Sequence, residues 1–439
     1  MPGTLPAGPY RSVTLPNGDS VPFYVIPFDA RGVCEAPQTR ADLVRQVAEN
    51  HYTDVFLFSH GWNNDWTVAT KRYDDFLAGF MKMRQELNLA TPGARYRPLL
   101  VGVFWPSTAL TFGASEEGPA MAGVDDEAVA RERHDLAELG GTLPPDEAVR
   151  FFDLVQRDSV TEREARELVG MFAGLRGAQS DDIPGALLTT EELLDGWITT
   201  AADEALDDFG TATTTGVSGA QVAGVLDLVK KLDPRQIVRT FTVWQMKDRA
   251  GAVGARGVGP LLRDLLDSTA RVHLVGHSFG AKVVMSALCA APLSRNVSSA
   301  LLLQPAMSHL CFAGVVPGTL LPGGYRPALD RVDGRILTTF SSHDWPLTTI
   351  FHLALRRAKD LGEPQIAAAE PPSPYAALGG FGPRRSGELI LDIQDPPQPY
   401  TWPANTKLIA LRGDRTISGH GDISNRSTWW ALYCAAFQP

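Results

Sequence analysis

The stretch RVHLVGHSFGAKVVMSAL, Arg271 to Leu288, constrains this chain more than any other. Its first five residues are a β-branched, apolar run that reads as a buried strand, and AKVVMSALCAA is an unbroken helix former. A strand that stops at Gly276 and restarts as a helix at Gly280 forces Ser278 into a strained turn that only small neighbours leave room for. That context gives weight to the spacing G-x-S-x-G, because a strand–turn–helix elbow is what lifts a serine hydroxyl clear at the carboxyl end of a strand. Alone the motif is weak, since Ser278 could instead cap its helix.

The flanking sequence has the alternation that such an elbow needs. SVTL and VPFYVIPF, joined through Asn17-Gly18, read as a hairpin, and Thr39 with Asp42 three residues on reads as the N-cap of a helix over ADLVRQVAEN. DVFLFSHGW is a buried strand, followed by a helix with Tyr73, Phe76, Leu77 and Phe80 on one face. PLLVGVFWPS is the next strand, ended by Pro106. Beyond the elbow come SALLLQ, RILTTFSS, ELILDIQ and TKLIALRG as strands, and a last helix around TWWALYCAAF. The expected fold is α/β: a mostly parallel central sheet flanked by helices, with a large helical insertion.

The insertion is set apart by charge. Ser107 to Thr240 holds 26 acidic and 11 basic residues, a net of −15 that leaves +5 on the rest of a chain of net −10. Its pattern is helical, so the domains are expected at 1–106 with 241–439 and at 107–240. The acidic balance argues against a nucleic-acid surface. At 439 residues, 44% hydrophobic and 21% charged, the chain has the composition of a globular protein. The opening MPGTLPAGPYRS has prolines and glycines where a signal peptide needs an apolar core, so none is expected. The apolar run from Asn296 to Tyr325 is broken by Pro305, Pro317 and Pro322 and is no spanning helix, which points to a cytoplasmic protein. Cys34, Cys289, Cys311 and Cys434 lack metal-site spacing and read as free thiols.

A serine hydroxyl needs an imidazole to take its proton and a carboxylate to hold that imidazole. In sheets with such an elbow the chain order is serine, acid, histidine. Of the nine histidines, four follow Ser278. His309 comes too early, His343 immediately precedes an aspartate, and His352 sits in a helical pattern. His420, in the Gly-rich loop beyond KLIALR, is the expected base. Asp344, in the turn after RILTTF, is the expected acid. Asp392 and Asp395 are runners-up, while Asp330 and Asp333 precede the strand at its wrong end. The oxyanion hole needs two backbone N–H groups, expected from Phe279 and from Trp62 in the SHGWNND loop. His60 reads as a positioning residue and His273 as a structural one. The glycines of GAVGARGVG suit close helix packing better than a phosphate loop.

Together FLFSHGW, VHLVGHSFG, SSHDWPL and SGHGDI resemble the α/β-hydrolase superfamily, and most of all a group of bacterial serine-hydrolase-like proteins of unassigned function. The resemblance covers residues before Pro106 and after Thr240. It implies ester hydrolysis through a Ser-Asp-His triad, with no metal or cofactor required. Trp62, Trp66, Trp105 and Trp345 fall at or beyond strand carboxyl ends, where open α/β sheets bind ligands. With His60 and His277 they form the expected substrate-binding set, suited to a small-molecule ester with an apolar group. The insertion is expected as a cap. The same residues would serve an acyltransferase or thioesterase, and the fold alone would serve a non-catalytic binding protein. Nothing in the sequence fixes an oligomeric state.

Overall fold

Seven of the nine strands are buried along most of their length, and this comes from apolar residues at consecutive positions rather than alternate ones. The computed structural model describes residues 7–15, 18, 20–89, 96–107, 140–141, 143–157, 159–171, 234, 245–290, 292–344, 346–350 and 376–438. The strands are β1 (Arg11–Thr14), β2 (Ser20–Pro27), β3 (Asp54–Ser59), β4 (Pro98–Phe104), β5 (Arg271–His277), β6 (Ser299–Leu303), β7 (Ile336–Phe340), β8 (Leu389–Asp392) and β9 (Leu408–Arg412). They form one sheet in the order β1-β2-β4-β3-β5-β6-β7-β9-β8. Every pair is parallel except the β1–β2 hairpin. Parallel strands need crossover helices on both faces, so their side chains are apolar on both sides.

The alternation within each strand sorts those side chains between two cores. Val55 and Leu57 of β3, Val101 and Val103 of β4, and Val272 and Leu274 of β5 face one core. It is closed by α1 (Pro37–Glu49), by a π-helical turn (Val253–Val258) running into a short helix over Gly259–Leu266, and by the elbow helix Phe279–Ala290. Phe56, Phe58, Leu100 and Val275 face the other core, beneath α2 (Trp66–Glu86) and the C-terminal helix Arg426–Phe437. The glycines before the elbow are packing glycines: a Cβ on Gly254 would lie 2.3 Å from the Val283 carbonyl oxygen. Within 107–240 the described residues include two helices, Pro145–Val155 and Glu162–Met171, joined by Arg150–Glu167 and Arg157–Glu164 pairs of 2.9 and 2.8 Å. None of the sheet's strands comes from this segment. No helix among the described residues is long and apolar enough to cross a membrane.

One local expectation is corrected. Thr39 and Asp42 do not cap α1. The helix starts at Pro37, which occupies its first turn, and no side chain caps it. Thr39 is buried inside that turn, and Asp42 accepts a 2.7 Å hydrogen bond from the Tyr24 hydroxyl instead. A proline fixes φ at a helical value and has no N–H to leave unpaired, so it opens the helix without a cap. The hairpin turn keeps a 2.9 Å bond from Gly18 N–H to the Leu15 carbonyl, while Asn17 lies outside the described residues.

At the amino ends of three central strands, Asp54 of β3, His273 of β5 and Ser299 of β6 form a buried row. His273 Nε2 lies 3.0 Å from Asp54 Oδ1, and its Nδ1 lies 2.8 Å from Ser299 Oγ. Arg271 approaches the same carboxylate at 2.6 Å. The hydrogen bond from His273 and the Arg271 charge hold the Asp54 carboxyl below its ordinary range, although burial pushes the other way.

Two helical glycines are expected to respond oppositely to alanine. At Gly79 of α2 a Cβ would fall 1.8 Å from the Trp429 ring of the C-terminal helix, whereas at Gly170 nothing lies within 4 Å. Alanine gains roughly 1 kcal/mol of helix propensity at either place, but overpacking at Gly79 costs about 1–3 kcal/mol. Urea denaturation should therefore show Gly79→Ala destabilised and Gly170→Ala unchanged or stabilised. Equal shifts would contradict the packing described.

Candidate active site

Ser278 is the one residue between β5 and the elbow helix, and it takes a positive φ of 54°. A non-glycine residue held there costs on the order of 1–3 kcal/mol, so the surroundings must enforce it. They do so through backbone. A Cβ on Gly276 would lie 2.5 Å from the Ala281 Cα, and one on Gly280 would lie 2.2 Å from the Ser59 oxygen and 2.3 Å from the His60 oxygen. Ser278 N–H donates to the Leu303 carbonyl of β6 at 3.0 Å, which anchors the turn across the sheet.

The structure brings Ser278, His420 and Asp344 into one row. Ser278 Oγ lies 2.9 Å from His420 Nε2, and His420 Nδ1 lies 2.8 Å from Asp344 Oδ2. Their exposures are 1%, 9% and 0%, so Asp344 is sealed and only the histidine end approaches the surface. The carboxylate accepts only, so it holds the proton on Nδ1 and turns the Nε2 lone pair toward the serine hydroxyl. The second carboxylate oxygen accepts the Leu347 N–H at 3.1 Å. The runner-up acids are engaged elsewhere: Asp392 faces Arg412 on the edge strand at 3.7 Å, and Asp395 accepts from the Ser427 hydroxyl at 2.5 Å.

The loop after β3 lies against the elbow. A Cβ on Gly61 would be 2.8 Å from Ser278 Cβ, and the Trp62 and Phe279 rings meet edge to face at 6.1 Å. The Gly61 carbonyl accepts from His60 Nδ1 at 2.9 Å and from Asn64 Nδ2 at 3.0 Å. A trans peptide points its N–H opposite to its C=O, so the Trp62 N–H is directed away from those two side chains. Ser107 fixes the other end, its hydroxyl accepting the Asn64 N–H at 3.1 Å.

The substrate-binding set divides differently from expectation. His60 is 1% exposed, and its other ring nitrogen accepts the Trp105 N–H at 3.3 Å, so neither nitrogen is left for a ligand. Trp105 is fully buried, stacked on His60 at 5.6 Å, with its indole N–H on the His60 carbonyl. It is a floor beneath the loop rather than a pocket wall. Trp66 packs edge to face on Phe104 and Tyr10. His277 is buried and donates from Nε2 to the His420 carbonyl at 2.9 Å, which makes it a brace for the histidine loop. Trp345 and His352 lie outside the described residues. Sequence reasoning passed over Asn64, Ser107 and Gln304. Gln304 Nε2 lies 3.3 Å from Asp344 Oδ2, 2.7 Å from the Gly419 carbonyl and 3.1 Å from the His420 carbonyl. Its only signal was position, as the polar residue closing an apolar strand beside the elbow strand.

Burial keeps several imidazoles neutral. It pushes His60 and His309 down to about 4, and it holds His277 well below its ordinary value. Burial lowers His273 as well, against the Asp54 carboxylate. In the unfolded chain each would take up a proton near pH 6.5, so the stability they contribute is complete above that pH. For His60 and His309 it is lost as pH falls from 6.5 toward about 4, at up to about 1.4 kcal/mol per group per pH unit, and His273 and His277 act in the same direction. Urea midpoints should drop steeply from pH 7 to pH 5, and His309→Gln should flatten the slope. A midpoint unchanged across that range would rule out neutral buried imidazoles.

No family model, no curated protein and no solved structure matches the chain.

Proposed function

We propose that the chain is a serine hydrolase of the α/β-hydrolase fold acting on carboxylic esters. The observation that carries this reading is the Asp344–His420–Ser278 row ending on a serine held at φ 54°. The strand order supports the fold assignment, with the serine after β5, the acid after β7 and the histidine after β9 at the same edge of one parallel sheet.

In the first half-reaction Ser278 Oγ attacks the acyl carbon while its proton passes to His420 Nε2. Asp344 stabilises the imidazolium through the Nδ1–H bond and keeps its own negative charge. The N–H groups of Trp62 and Phe279 take the oxyanion, the latter aided by its place at the first turn of a helix. Collapse returns the proton to the alcohol oxygen, which leaves, and the acyl group stays on Ser278. Water then attacks the acyl-enzyme with His420 again as base, releasing the acid and restoring the serine. Trp66 and Trp105 give no support for an apolar substrate pocket, because Trp105 is buried and Trp66 packs on Phe104 and Tyr10.

A fluorophosphonate probe should label the wild-type chain and leave Ser278→Ala unlabelled. Hydrolysis of p-nitrophenyl acetate should vanish in Ser278→Ala and His420→Ala. Asp344→Asn, which removes the acceptor that fixes the tautomer, should lose on the order of 10⁴ in turnover. Labelling or turnover at wild-type rates in Ser278→Ala would end the proposal.

A further inference from the structure

We propose that Gln304 is a positioning residue of this site: its side-chain amide holds Asp344 and the His420 loop in one geometry. The inference rests on the hydrolase reading and extends it to a residue in contact with the acid. Gln304 follows β6, the strand between those that carry the serine and the acid. Its side chain is fully buried, and Nε2 lies within reach of three acceptors, Asp344 Oδ2 and the carbonyls of Gly419 and His420. One NH₂ group has two hydrogens, so one of them is shared. No other orientation of the amide serves, because turning Oε1 inward would set oxygen against three oxygens.

That orientation is maintained against opposing costs. Oε1 is buried with no hydrogen-bond partner, and the backbone takes φ 43°. A buried orphan acceptor and a left-handed non-glycine conformation at one residue are the kind of cost that sites retain for geometry. The backbone N–H is pinned to Thr339 Oγ1 of β7 at 2.9 Å, which ties the residue to the strand that delivers the acid. The His420 carbonyl receives a second donor, His277 Nε2, from β5. The imidazole is thus set from three strands: β5 through His277, β6 through Gln304 and β7 through Asp344.

Gln304→Met keeps length and volume but removes the donor. Misplacing the acid–base pair should lower kcat about 10²-fold, with KM unchanged because no substrate contact is lost. The downfield proton NMR signal of the Asp344–His420 hydrogen bond should weaken or vanish, while near-ultraviolet circular dichroism stays native. Thr339→Val, which frees the Gln304 backbone, should show the same pattern in milder form, and it decides the matter if Gln304→Met does not fold. Wild-type kcat with an intact downfield signal would overturn the proposal, even if the melting temperature falls. If the wild-type chain hydrolyses no ester, the hydrolase reading fails separately, and the downfield signal alone decides whether Gln304 holds the pair.

Discussion

The arrangement depends on a backbone contact with no room in it. The peptide at Gly280 lies so close to the carbonyls of Ser59 and His60 that even a methyl group would overlap them. This contact lets the elbow helix start directly against the end of β3, and it carries the Trp62 loop and the serine turn into one place. The register between β3 and β5 sets the contact, since Ser59 pairs with Gly276. A sheet slipped by one residue would exchange its two faces and separate serine from loop. Packing of the two cores thus positions the candidate site, and the strain at Ser278 is borne by the strands and loop packed around it.

Much of this was readable in the sequence because it is local. A buried parallel strand is an apolar run, and strand, turn and helix at the elbow occupy twenty consecutive residues, Arg271–Ala290. The places of Asp344 and His420 in the row were legible from chain order, since each lies in a loop beyond the carboxyl end of a strand. What escaped notice acts across long separations through backbone carbonyls. Gln304 donates to the Gly419 carbonyl from 115 residues away and the Ser107 hydroxyl to the Asn64 carbonyl across 43, and a hydrogen bond to a carbonyl leaves no trace in the identity of the residue that accepts it. Trp105 was placed correctly but turned the wrong way. It continues the alternation of Leu99, Val101 and Val103 into the first core, a periodicity that the end of the strand concealed. Thr39 failed for a simpler reason, since Pro37 had already begun the helix.

The sheet contains an internal control on what three residue types signify. Asp54, His273 and Ser299 make a hydrogen-bonded row as short as that of Asp344, His420 and Ser278. Two differences separate them. In the first row the serine faces Nδ1 and the acid faces Nε2, the reverse of the second. The first also lies at the amino ends of its strands, with every member at most 2% exposed and the serine in regular β conformation. Such a row braces three strands. Backbone strain and the edge of the sheet on which a row lies distinguish a candidate site from a structural tie.

The neutral histidines around the site carry a further implication. The His277 ring lies 5.0 Å from that of His420 yet is held uncharged by burial, so it does not compete with His420 for a proton. In the proposed hydrolysis the site then has one mobile proton between two neighbouring imidazole rings. His277 beneath the histidine loop and His60 beneath the Trp62 loop, both neutral, act as struts whose hydrogen-bonding direction never reverses during turnover. The oxyanion loop and the histidine loop would keep the same shape before, during and after proton transfer, and the reorganisation that accompanies charge separation would be confined to the space between Ser278 and Asp344.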